Sequence, residues 1–270
     1  YINGDLSSTY TNFSELITLS ESNNDEIMPD WIDASTNIDI SNLSYKNFIA
    51  SDINGSLSYN NKYLNVTNLT SKALNGNILG TFALSETNNQ LKLISNLLLK
   101  KINIRNSFEA FNDFNQTFIK REHLKGEGSA ELYIESYWSP DFVLNKEKLN
   151  IKSNLVIEKG ELINFKPLES LSSYVSLDEL KHVKFSTLEN TINISNKIIT
   201  IPTMEVKSSA LSVMLSGTHT FNKKINYEIT LLLSELLSES FRQKNTSITE
   251  FGEEERNGEI FNTIYLKMEG

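Results

Sequence analysis

The sequence predicts a mainly β protein, an elongated antiparallel meander sheet with two or three short helices, whose apolar face is either closed by a second layer or curved into a groove or half-barrel. Across residues 190–233 apolar side chains recur at every second position. They are Ile192 and Ile194, Ile199 and Ile201, Val213 and Leu215, then Ile225, Tyr227, Ile229 and Leu231, mostly with Asn, Ser, Thr, Lys or Glu between them. Successive side chains of a strand point to opposite faces, so the pattern describes a sheet with one apolar and one polar side. Turn chemistry is the second observation. The chain has only 11 Gly and 4 Pro but clusters Asn at strand boundaries, as in Asn60-Asn61, Asn88-Asn89 and Asn75-Gly76. Asn tolerates left-handed backbone better than other residues that carry a side chain, so the hairpins are expected to turn on it.

Strands are expected first at residues 37–40, 53–59, 63–69, 78–84 and 91–99, each bounded by Asn, Ser or Gly. The period then changes. Residues 105–119 place Phe108, Phe111, Phe114 and Phe118 three and four apart. That is the spacing of one helical stripe, and it predicts a helix plugging an end or edge of the sheet. Gly126-Glu127-Gly128 is a candidate seam between a β-rich segment, 1–125, ending in that Phe-rich helix, and a second β domain, 126–270. One continuous β groove is the other possibility. Strands resume at 130–137 and 149–157, and residues 167–183 predict a second helical patch. Pro167 opens that patch and Ser176-x-x-Glu179 forms a capping box in its second half. After the meander come a short helix over 236–244, a solvated acidic loop over 250–259, and a last strand bearing Ile264, Leu266 and Met268.

The two halves echo each other. Asn61-Lys62-Tyr63-Leu64-Asn65-Val66, then Leu69, Ala73-Leu74 and Gly80-Thr81, resembles Asn196-Lys197-Ile198-Ile199-Thr200-Ile201, then Met204, Ala210-Leu211 and Gly217-Thr218. Either a strand-turn-strand unit is repeated or two Asn-rich hairpins are alike by composition.

Composition narrows the function classes. A formal charge of -9 and a pI near 5.0 leave no concentration of Lys and Arg for a nucleic-acid backbone. The absence of Cys removes disulfides, thiolate catalysis and zinc-thiolate sites. Apolar runs such as 97–99 and 231–233 are far short of the ~20 residues that span a bilayer as a helix. His123, His182 and His219 are the only histidines, and none lies in a G-x-S-x-G context. His219 sits in an alternating strand and reads as an ordinary strand residue. Metal spacings of the H-x-x-x-H or D-x-D-x-D-G kind are absent, and Gly126-x-Gly128 lacks the third glycine of a phosphate cradle. No catalytic residue, metal or cofactor is expected.

Residues 124–237 resemble the C-terminal region of AsmA-like proteins, those of Bacteroidota in particular. The matching pieces are Leu124-Lys125-Gly126, the strand around Trp138, Ile157-Glu158-Lys159-Gly160-Glu161-Leu162-Ile163-Asn164-Phe165 followed by Pro167-Leu168, and Val183-Lys184-Phe185-Ser186-Thr187-Leu188. Ile199-Thr200-Ile201-Pro202-Thr203-Met204 and Ser216-Gly217-Thr218-His219-Thr220-Phe221 follow before Tyr227, and Asn112-Asp113-Phe114-Asn115-Gln116 resembles the segment preceding this region in the same family. AsmA-like proteins are similar to TamB and to bridge-like lipid-transfer proteins built from repeating β-groove units. The resemblance implies a periplasmic protein held in the inner membrane by one N-terminal helix. It also implies that the protein moves phospholipid toward the outer membrane and supports outer-membrane integrity, without catalysis. This chain carries no such anchor helix, as expected of a central or C-terminal fragment.

Elementary energetics agree with such a role. Each methylene taken out of water gains roughly 0.8 kcal/mol, so an apolar trough can hold acyl chains without a specific side chain. Ile192, Ile194, Ile199, Ile201, Val213, Leu215, Ile225, Tyr227, Ile229 and Leu231 are the candidate groove lining, and phospholipid acyl chains the expected partner. A non-catalytic scaffold domain contacting envelope proteins is the alternative. A carbohydrate-binding or adhesin domain, suggested by the Asn, Ser and Thr content, is a more distant one.

Overall fold

The computed structural model describes residues 1–15, 28–172, 176–209, 212–232, 253–256 and 259–269. One 15-stranded sheet dominates it. From β3 (Asp33–Tyr45) onward each strand pairs antiparallel with the next. In order these are β4 (Phe48–Asn60), β5 (Tyr63–Ala73), β6 (Gly76–Thr87), β7 (Gln90–Asn103), β8 (Leu124–Trp138), β9 (Asn150–Ile163), β10 (His182–Ser195), β11 (Ile198–Lys207), β12 (Ser212–Thr220) and β13 (Ile225–Leu232). At one edge β1 (Ile2–Ser8) and the two-residue β2 (Thr11–Asn12) lie parallel to β3. At the other edge β13 pairs with β15 (Glu259–Glu269), and β15 with β14 (Glu253–Arg256). The strand order is linear, so the sheet is open. Gly126 and Gly128 fall inside β8, and the sheet runs through that position without a gap.

Two-residue turns set the register. Asn60 pairs with Tyr63, Thr87 with Gln90, and Ser195 with Ile198. The residues between them have positive φ: Asn61 and Lys62 at 46° and 59°, Asn88 and Asn89 at 49° and 54°, Asn196 and Lys197 at 50° and 61°. Positive φ at both central positions marks the hairpin turn whose twist matches that of its strands.

The sequence echo is also structural. Asn61-Lys62 and Asn196-Lys197 make the same turn, and the strand after each turn carries a register shift at the same place, between Val66 and Leu69 and between Ile201 and Met204. Opposite these shifts stand Gly80, with φ 153°, and Gly217, with φ 159°. A Cβ on Gly80 would lie 2.0 Å from the carbonyl oxygen of Asn96, and one on Gly217 would lie 2.4 Å from that of Asn226. Both glycines let the following strand approach closely beside a bulge, where a sheet bends.

The aromatic stripe after β7 does not form one helix, which corrects the expectation of a helix over 105–119. Helix α1 spans only Ile104–Ala110, capped by Asn103, whose side chain accepts from the amide of Asn106. Asn112, Asp113, Phe114 and Asn115 then take φ between 50° and 55°, which ends it. Asp113 locks the turn. Its carboxylate accepts from the amide of Arg121 at 2.9 Å and from the Arg121 guanidinium at 3.0 and 3.2 Å. The stripe therefore divides: Phe114 packs on Phe108 and Phe111, and Phe111 on Phe48, while Phe118 turns away from them.

The second helical patch divides as well, into a 3-10 turn at Lys166–Leu171 and helix α2, Leu177–Lys181, whose cap Ser176 accepts from the amide of Glu179. Val183 already belongs to β10. The acidic stretch expected as a solvated loop contains β14, with Glu255 opposite Ile260 and Glu254 opposite Phe261. Ladder hydrogen bonds need no apolar side chains, and a charged strand is a common way to finish a sheet edge. The helix expected over 236–244 lies outside the described residues.

Phe118 reveals the curvature. Its ring stacks on Tyr227 of β13 at 5.8 Å and meets Phe165, just beyond β9, edge-on at 5.2 Å. Four strand steps separate β9 from β13, about 19 Å on a flat sheet. The sheet therefore curls, with Phe118 on its concave side.

Candidate functional site

Residues directly opposite each other in a ladder project to the same face. Val213 faces Leu231, Leu215 faces Ile229, Gly217 faces Tyr227 and His219 faces Ile225. On the other side of β12, Met204, Ile201 and Ile199 stand opposite Leu215, Gly217 and His219. Ile199 also stands opposite Ile194, which pairs with Ile151, and Ile192 pairs with Ser153. All ten candidate positions thus belong to one face, as period two requires.

The face extends well beyond them. A single row runs Thr36, Leu57, Val66, Phe82, Ser95, Ile134, Ile151, Ile194, Ile199, His219, Ile225, crossing β3 to β13. At ~4.8 Å per strand step it is about 48 Å long. Beside it Gly80, Leu97, Leu132, Ser153 and Ile192 make a second row. Sequence reasoning placed the lining only at 192–231. The alternation of Leu91, Leu93, Leu97 and Leu99 carried the same signal for the first half.

Over the second half of the row, among the described residues, no second layer closes this face. Ile192, Ile194, Ile199, Ile201, Val213, Leu215, Ile225 and Ile229 are all half-buried, and of the candidates with a described environment only Tyr227 is buried, at 7% exposure. A tighter core exists at the end of the first half, where Ala50, Ile53 and Ala73 are buried and Ile40, Leu43, Phe48, Leu69 and Ile78 pack on them.

Three features bound the concave face. Phe118, Phe165 and Tyr227 form an aromatic cluster across it, with burial raising the Tyr227 hydroxyl pKa above its usual value. Between β13 and the β7–β8 connection lies a cavity lined by Thr117, Phe118, His219, Lys223 and Ile225. Burial lowers the His219 pKa, which favours a neutral ring. Where β8, β9 and β10 end near α2, Glu161 is 7% exposed, with His182 Nδ1 at 2.9 Å and Lys125 Nζ at 3.3 Å.

Glu161 has a pH signature. The His182 hydrogen bond, helped by Lys125 and opposed by burial, holds its carboxyl below the ordinary value of 4.5. A folded pKa below the unfolded one gives stability that is present above the unfolded value and is lost as pH falls through the folded one. Glu161→Gln should therefore show a flatter stability profile below pH 4.5 than the parent in urea titrations. Parallel profiles for the two proteins would contradict this role.

Among the described residues no group of His, Asp and Glu is placed to hold a metal ion, and no helix is long and apolar enough to cross a membrane. Comparison with family models, with curated proteins and with solved structures finds no match to this chain.

Proposed function

We propose that the concave apolar face holds phospholipid acyl chains, and that the chain is part of an AsmA-like envelope protein conducting lipid between inner and outer membrane on the periplasmic side. One observation carries this: a row about 48 Å long, largely apolar, buried at Val66 and Ser95 but half-buried at its candidate lining residues Ile194, Ile199 and Ile225, on an open, curled sheet. Scattered exposed apolar residues are ordinary, but a contiguous strip marks a surface that is covered by something apolar. About ten methylenes leaving water gain roughly 8 kcal/mol, the same order as the cost of association, so such a trough favours long tails over short ones. No step of bond making is involved, and no catalytic residue, metal or cofactor is assigned.

The scaffold alternative draws on the closed end around Ala50, Ile53 and Ala73, where the same face behaves as core. Native mass spectrometry of the purified chain separates the two. Phospholipid should co-purify and survive gentle desolvation; a chain that is lipid-free after isolation from a lipid-rich lysate favours the scaffold.

A further inference from the structure

The cavity lined by Thr117, Phe118, His219, Lys223 and Ile225 has a volume of about 310 Å³, enough for a head group but not for a whole lipid. Its wall has two characters. Phe118 and Ile225 are apolar, whereas Thr117, His219 and Lys223 are polar, and the apolar row leaves the cavity through Ile225, His219, Ile199 and Ile194. The turn that presents Lys223 is pinned. Its amide donates to Thr220 O at 2.9 Å, and the amide of Lys224 donates to Thr220 Oγ1 at 3.0 Å. Among the described residues neither the Lys223 ammonium nor the His219 ring has a hydrogen bond or ion pair. An exposed cation without an ion-pair partner among the described residues, carried on a pinned turn beside an apolar strip in a chain of net charge -9, is a selective feature.

We infer that this cavity seats the phosphate-bearing head of an amphiphile whose tail continues along the apolar row. The inference rests on the groove proposed above. Lys223 supplies the charge and Thr117 a hydroxyl donor. The His219 ring, favoured neutral by its burial, supplies one further N–H.

The test is equilibrium titration of the purified chain and of Lys223→Glu with dodecyl phosphate, dodecyl maltoside and inorganic phosphate. For the parent, dodecyl phosphate should bind about tenfold tighter than dodecyl maltoside, the size of one charge-assisted hydrogen bond. Inorganic phosphate should bind far more weakly than either. Lys223→Glu should erase the preference. Lys223→Gln, with no new charge in the turn, should erase most of the preference and confirms the result should the glutamate variant misfold. Preference retained in both variants overturns the head-group seat while the groove stands. Absence of binding by either amphiphile overturns the groove and the seat together. Inorganic phosphate binding as tightly as dodecyl phosphate makes this a free-anion site and overturns the amphiphile.

Discussion

Aspartate at both Val213 and Ile229 is expected to leave a folded β protein that no longer carries lipid, whereas aspartate at Val66 alone prevents folding. The three residues share the apolar face but not its environment. Val66 is 0% exposed, between Leu57 and Phe82 on the neighbouring strands. A carboxylate there must ionise without water or stay protonated, a pKa displacement of 3–5 units and about 4–7 kcal/mol, comparable to the whole stability of a domain. Val213 and Ile229 are half-buried, so water reaches them and each change forfeits only about 1 kcal/mol of apolar burial. Two charges in a trough nevertheless end its capacity for acyl chains. Far-UV circular dichroism and native mass spectrometry read the two effects. If the double variant unfolds, the face is core and the scaffold alternative gains; if it folds and retains lipid, the groove lies elsewhere.

The second large effect is on stability. Gly80→Val should cost roughly 2–6 kcal/mol, the sum of backbone strain and overpacking. The backbone at φ 153° is poorly open to residues with a Cβ, and that atom would overlap the Asn96 carbonyl 2.0 Å away. Gly217→Val meets the Asn226 carbonyl at 2.4 Å at φ 159° and should lose a similar amount. Gly4 serves as control: nothing lies within 4 Å of its Cβ position, so Gly4→Val should stay within about 0.5 kcal/mol. Urea midpoints compare the three. A tolerated Gly217→Val beside a damaging Gly80→Val would show that the two halves are not equivalent.

The division between what was legible and what was not follows the range of the interactions. Period two is a local property of a strand, so the shared face of Ile192 to Leu231 could be read directly, as could Asn-rich turns such as Asn61-Lys62 and Asn196-Lys197. The echo of the halves was legible as residues. Its meaning, a bulge beside a glycine in each, came only from pairing between strands. The Phe stripe misled because spacing records which residues could share a helix face, whereas left-handed backbone from Asn112 to Asn115 and the Asp113–Arg121 contact decide where the helix stops.

Phe118 stacking on Tyr227 joins residues more than a hundred positions apart, and no local pattern encodes it. The sequence by itself determined an alternating, Asn-turned meander with one apolar face, because side-chain direction and turn conformation depend on nearest neighbours. Only the tertiary structure decided that the sheet stays open, curls around Phe118 and leaves that face half-buried, because curvature and closure are set by bulges and contacts summed across many strands.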